Sequence, residues 1–208
     1  MGLLLQLLRG RLRRRPHRRC AAAVRQAALR GPRVSLLILF VLFQASWFAT
    51  VWGGAQGSSL WALVATVVVF ALLARRYPLR GLLTRAGIGV LCGLVLDGTM
   101  VALGLTSFPP FGGQTLPLWI LCLWANFAAV LPYMVPWLAG RRSLAVVFGA
   151  AGGPLAYFSA AQLGAIEVAS LIGYSAVGLA WALAMAVLPL EERQGEAKPT
   201  LGSEVAGG

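Results

Sequence analysis

The sequence predicts an all-α polytopic membrane protein: a bundle of six transmembrane helices with the N-terminus and the C-terminus both cytoplasmic. Three observations carry this expectation. First, only 12% of the 208 residues are charged, about half the share of an ordinary soluble domain. Between residues 34 and 190 the charges reduce to Arg75, Arg76, Arg80, Arg85, Asp97, Arg141, Arg142 and Glu167. Second, that interval divides into apolar stretches of the length that crosses a bilayer as a helix, about 20 residues. Third, the basic residues segregate. With six helices and an inside N-terminus, all 18 Lys and Arg fall on the cytoplasmic side, which is the positive-inside pattern. Five or seven helices would scatter them over both faces.

The chain thus divides into a basic leader at 1–33, a transmembrane domain at 34–190 and a polar tail at 191–208. The spans are expected at about 34–52, 58–74, 86–105, 116–138, 143–163 and 169–190. Turn chemistry separates them: Gly53-Gly54, Tyr77-Pro78, Pro109-Pro110 with Gly112-Gly113, and Gly140. The last break, near residues 164–168, is the least marked. The inside loops are the segment around 75–85, which holds Arg75, Arg76, Arg80 and Arg85, and the pair Arg141-Arg142. Trp52, Trp61 and Trp119 are expected near the outer edge, with Tyr77 and Trp137 near the inner one, as interfacial aromatic belts.

The leader holds ten arginines. Its apolar run at 3–8 is too short for a signal-peptide core, and the charge follows it. Gln6 stands where a myristoylation motif needs Ser or Thr. An interfacial segment for anionic head groups and a tail that only sets orientation are both compatible with it.

The totals exclude several chemistries. The single histidine, His17, lies in the leader. A His-clustered metal site and a Ser-His-Asp triad are therefore not expected in the membrane. Cys20, Cys92 and Cys122 have no ligand spacing, and Cys92 and Cys122 read as small core residues. No phosphate-binding glycine loop is present. Neither metal nor cofactor is expected. The net charge of +12 reflects topology rather than nucleic-acid binding. The expected partners are the lipid bilayer and, through the glycine faces, a membrane-protein partner or a homo-oligomer.

Polar groups at bilayer depth are costly, so each asks for a reason. Asp97 is the only acid well inside a span, placed near the middle of the third helix. A charged Asp there costs about 2.5–3.5 kcal/mol on insertion scales, so it should face protein or a wet cavity. Gly89, Gly93 and Asp97 recur at a spacing of four and share one helix face. Gly89-xxx-Gly93 is a small-residue packing motif that turns this face toward a neighbouring helix. Asp97 then reads as a proton carrier, a substrate contact or a catalytic acid, or as a structural group bonded to Asn126. Asn126 is central in the fourth helix and Gln44 in the first. On the fifth helix, Gly149 and Gly153 continue the packing theme, a kink is expected at Pro154, and Tyr157 and Gln162 lie beyond it. Asp97, Asn126, Gln44, Tyr157 and Gln162 all fall at the midplane or in the outer half. They form a candidate intramembrane polar site. No catalytic residue can be assigned.

Several segments also resemble one bacterial membrane family. They are Phe43-Gln44-Ala45-Ser46-Trp47-Phe48 followed by Gly53-Gly54-Ala55, Leu96-Asp97-Gly98 through Thr106-Ser107-Phe108-Pro109, Pro117-Leu118-Trp119 through Asn126-Phe127-Ala128, and Gly149-Ala150-Ala151-Gly152-Gly153-Pro154-Leu155-Ala156-Tyr157. The sequence is similar over about 34–190 to the domain of unknown function 2878. The resemblance implies a small bacterial inner-membrane protein without an established activity. A loose association with fatty-acid-modifying enzymes also comes with it. Three functions follow as expectations: binding or moving a lipid or other small hydrophobic ligand, acting as a structural or accessory subunit of a membrane complex, and, less favoured, modifying lipid with Asp97 and Tyr157. No inverted repeat of the transporter kind is evident.

Overall fold

Long apolar runs leave the backbone with one local way to satisfy its own N–H and C=O groups, the helix. The computed structural model describes residues 36–190. The leader and the tail, with the roles considered for them, lie outside the described residues. Six α-helices occupy the described part: α1 Leu36–Ala55, α2 Leu60–Ala74, α3 Leu79–Ala102, α4 Leu118–Met134, α5 Arg142–Gln162 and α6 Leu171–Val187. Of these, α1, α3 and α5 are long and apolar enough to cross a membrane. Residues 37–190 belong to one compact unit. Its exterior is studded with large apolar side chains, such as Leu171 at 82% exposure and Ile172 at 72%. Such a surface suits hydrocarbon rather than water.

The helix boundaries correct two expectations. The third helix starts at Leu79 rather than at 86, so Arg80 and Arg85 are helical and not in a loop. Arg85 is buried and donates to the Tyr133 hydroxyl at 2.8 Å, while Tyr77 stacks on the same ring at 3.7 Å. A charge with such partners sits within an apolar helix, and hydropathy alone would have excluded it. With this start, Asp97 lies toward the C-terminal end of α3, not near its middle. The fourth helix stops at Met134 instead of running to 138. Pro136 pushes the preceding Val135 out of helical geometry, to φ −126° and ψ 55°, and a single 3₁₀ turn covers Pro136–Leu138. In α5 the helix continues through Pro154.

Trp119 also departs from its expected place. Trp52, Trp61 and Trp137 are exposed, but Trp119 is fully buried. Its indole lies against Gly54 of α1, where an added Cβ would be 2.7 Å from the ring. Phe108 meets it edge-on at 5.7 Å. It is a core residue under the connection that follows α3, not part of a belt.

The structure contains an internal repeat, of the parallel kind. Gly89 corresponds to Gly149, Gly93 to Gly153, Asp97 to Tyr157, Gly104 to Gly164 and Ser107 to Glu167, each pair sixty residues apart. Gly104 (φ 67°) and Gly164 (φ 81°) end α3 and α5 in the left-handed conformation. In both, the next amide bonds five residues back, Leu105 to Met100 and Ala165 to Ala160. This is the Schellman closure. The chain then forms β1 (Thr106–Ser107) and β2 (Glu167–Val168), which pair antiparallel with Ser107 opposite Glu167. Equivalent residues meeting one another mark a two-fold-like relation between α3–β1–α4 and α5–β2–α6. Both C-terminal ends, of α3 and of α5, meet at the ladder, so the two units run the same way. The α1–α2 hairpin stands outside the repeat. It packs on α4 through Phe43 and Phe127, whose rings are 5.9 Å apart.

Candidate functional site

The site grows from the glycine faces of α3 and α5. On α3, Gly89 and Gly93 admit α4 so closely that a Cβ would lie 2.4 Å from the Trp124 carbonyl oxygen at Gly89 and 2.4 Å from its indole at Gly93. The Trp124 ring is thereby laid along α3 with its N–H aimed one turn further on. There it donates to Asp97 Oδ2 at 2.6 Å. A buried indole needs an acceptor, and a buried carboxylate needs donors. On α5, the equivalent Gly149 and Gly153 admit Trp181 of α6, with a Cβ at Gly153 only 2.3 Å from the ring. Tyr157, one turn beyond, donates its hydroxyl to Asp97 Oδ1. Trp124 and Trp181 stack with centroids 4.7 Å apart and planes at 26°. The Asp97–Tyr157 bond and the tryptophan stack therefore join the two halves of the repeat at equivalent positions.

Asp97 is 3% exposed and both of its oxygens accept. Its partner is not Asn126, as one reading of the sequence has it. Asn126 instead donates to Ser46 of α1 at 3.1 Å, and its own carbonyl oxygen finds no partner among the described residues. Thr50, one turn above Ser46, is also buried, its hydroxyl unpaired among the described residues. The two polar contacts are thus separate: one ties α3, α4 and α5, the other ties α1 to α4.

A groove of about 640 Å³ runs between α1, α4, α5 and α6. Trp124, Phe127 and Trp181 form its wall near the cluster, and Phe43 and Trp47 face them from α1. Gln44, Tyr157 and Gln162 line it. Asp97 stands directly behind Trp124 and Tyr157, and Asn126 does not reach it. So the structure brings three of the five polar candidates to one cavity, places the fourth just behind its wall, and leaves the fifth elsewhere. At the rim, Phe48, Leu155 and Phe158 are each more than half exposed, so the groove opens sideways onto the apolar exterior. Its volume lies in the range of small-molecule sites, about 300–1,000 Å³. Among the described residues no cluster of three His, Cys, Asp or Glu could hold a metal ion. Trp124 and Trp181 were not legible as site residues in the linear sequence. The signal that finds them is the repeat: each is the ring packed on a Gly-xxx-Gly face that ends in a polar residue.

The family described as protein of unknown function, DUF2878, matches residues 36–187. The chain belongs to this family. The match begins at the first residue of α1 and ends at the last of α6, so the DUF2878 domain comprises the six helices, both halves of the repeat and the groove. Comparisons with curated proteins and with solved structures find no match.

Proposed function

We propose that this DUF2878 protein resides in the bacterial inner membrane, crosses it six times with both termini cytoplasmic, and binds or moves a lipid or other small hydrophobic ligand in the lateral groove. The groove carries the reading: an aromatic-lined cavity opens onto an exterior suited to lipid, so a ligand reaches it from the bilayer without crossing water. Three helices are individually long enough to span. At 17 residues, α4 and α6 stand at the lower limit of about 17–25. With 15 residues α2 is the shortest, and the arginines beyond Arg75 support its placement through the positive-inside pattern. Residues from Thr106 to Thr115, with the β ladder, then face outward. A single cysteine replacing Thr115 should react with an impermeant maleimide in intact spheroplasts, while one at Arg141 should react only after permeabilisation. The opposite pattern would invert the topology.

Filling the groove tests the ligand. A Cβ added at Gly152 meets nothing within 4 Å, and Gly152 and Ala156 line the groove one turn apart. Gly152→Phe with Ala156→Phe should therefore occlude it without disturbing the helix contacts. Native mass spectrometry of the purified full chain should find a retained hydrophobic molecule in the wild type and lose it in the double variant. A wild type that retains nothing, or a variant that retains the same molecule equally, would sink the reading.

One observation favours a second reading, that of a structural or accessory subunit. Both Asp97 oxygens are already engaged, as in a lock between helices. In that case the double phenylalanine variant should keep full function in a deletion strain.

A further inference from the structure

We infer that the groove selects a drug-sized hydrophobic ligand bearing one positive charge, an amine or quaternary ammonium held against Trp124, Trp181 and Tyr157 in front of the Asp97 carboxylate. This rests on the ligand-binding reading above and adds the ligand's charge to it.

The charge balance of the site points this way. Asp97 meets one donor on each oxygen, Trp124 and Tyr157, and such donors favour the ionised carboxylate. A buried charge calls for a counter-charge. The described chain supplies none nearby: its Lys and Arg are Arg75, Arg76, Arg80, Arg85, Arg141 and Arg142. Of these Arg85 is the nearest along α3, three turns toward the other end, or about 18 Å by helical rise. It is bonded to Tyr133. Both donors that hold Asp97 are also groove walls. A cation in the groove would thus sit one side chain from the carboxylate, in a medium where charges interact strongly.

The wall itself suits a cation. Trp124, Phe127 and Trp181 are gathered within 4.7–6.4 Å of one another; Trp124 and Trp181 cover each other's faces, and an aromatic face turned to the groove attracts a cation, quaternary ammonium included. Hydrogen bonding of the Trp124 N–H and the Tyr157 O–H to a carboxylate makes both rings more electron-rich. Among the described residues no Lys or Arg lines the groove, so an anionic head group finds no counter-charge among them.

Two ions of similar size and opposite charge separate charge selection from greasiness. Equilibrium binding of tetraphenylphosphonium and of tetraphenylborate to the purified full chain should give saturable binding of the cation alone, one per chain. The Gly152→Phe, Ala156→Phe variant should abolish it. Asp97→Asn should weaken it about tenfold or more, with Tyr157→Phe smaller in effect. The wild-type comparison alone decides the matter if Asp97→Asn does not fold. Equal or tighter binding of the borate, or no groove-dependent binding of the phosphonium, overturns the inference. If the wild type still retains a hydrophobic molecule that the phenylalanine variant loses, the ligand-binding reading survives that failure. If it retains none and binds neither ion, both fall.

Discussion

Trp124→Ala is expected to be the most destabilising single substitution in the described chain. The indole fills the space over Gly93, stacks on Trp181 and meets Phe127 edge-on at 6.4 Å. Removing a packed tryptophan to alanine costs about 3–5 kcal/mol in water-soluble proteins. The second loss is the N–H on Asp97 Oδ2, which leaves a buried carboxylate oxygen uncovered at about 1–3 kcal/mol. These losses share one side chain and do not simply add. Trp124→Phe separates them, because it keeps most of the ring and removes only the donor. Reversible unfolding in mixed micelles should place Trp124→Phe near one third of the alanine cost. Equal costs for both would mean that the hydrogen bond, and not the packing, dominates.

Gly153→Val is expected to come next, through steric crowding rather than a void. A Cβ there would lie 2.3 Å from Trp181 Cγ and 2.5 Å from Cδ1, closer than carbon atoms can approach. Either α5 and α6 separate or Trp181 leaves its stack on Trp124. Overpacking of this kind costs typically about 1–3 kcal/mol, and the upper end is expected because the ring is held on both faces. Gly152→Val is the matched control. Its Cβ meets nothing within 4 Å, so its unfolding free energy should stay within about 0.5 kcal/mol of the wild type. A Gly153 variant as stable as the Gly152 variant would contradict the close approach of α5 and α6.

The element pattern was largely legible because it depends on local composition. Six apolar stretches separated by glycine and proline became six helices, and Gly89-xxx-Gly93 did mark a face pressed on a neighbour. The errors arise where a distant partner changes the local rule. Arg80 and Arg85 look like loop charges until Tyr133, far along the chain, covers Arg85. Trp119 looks interfacial until Gly54 and Phe108 enclose it. The hydroxyl nearest Asp97 in sequence, that of Thr99, bonds back to the Val95 carbonyl, and Asn126 was the natural amide to offer it. The structure instead supplies an indole and a phenol, neither of which registers as polar in a hydropathy pattern. The repeat is faint in the sequence because few identities survive: Asp97 stands opposite Tyr157 and Ser107 opposite Glu167, while Gly89, Gly93, Leu103 and Gly104 recur unchanged sixty residues on. The groove could not be read at all, since its walls come from α1, α4, α5 and α6.

The central claim is that a lateral groove beside the Asp97 cluster holds a hydrophobic ligand drawn from the membrane. A cryo-EM reconstruction of the full chain in lipid nanodiscs tests it most directly. The account predicts six helices within the lipid belt and density filling the space between Trp47, Phe158 and the Tyr157 hydroxyl, open to the bilayer at Leu155. A groove closed by α1 packing directly onto α5, or helices lying outside the belt, would contradict it.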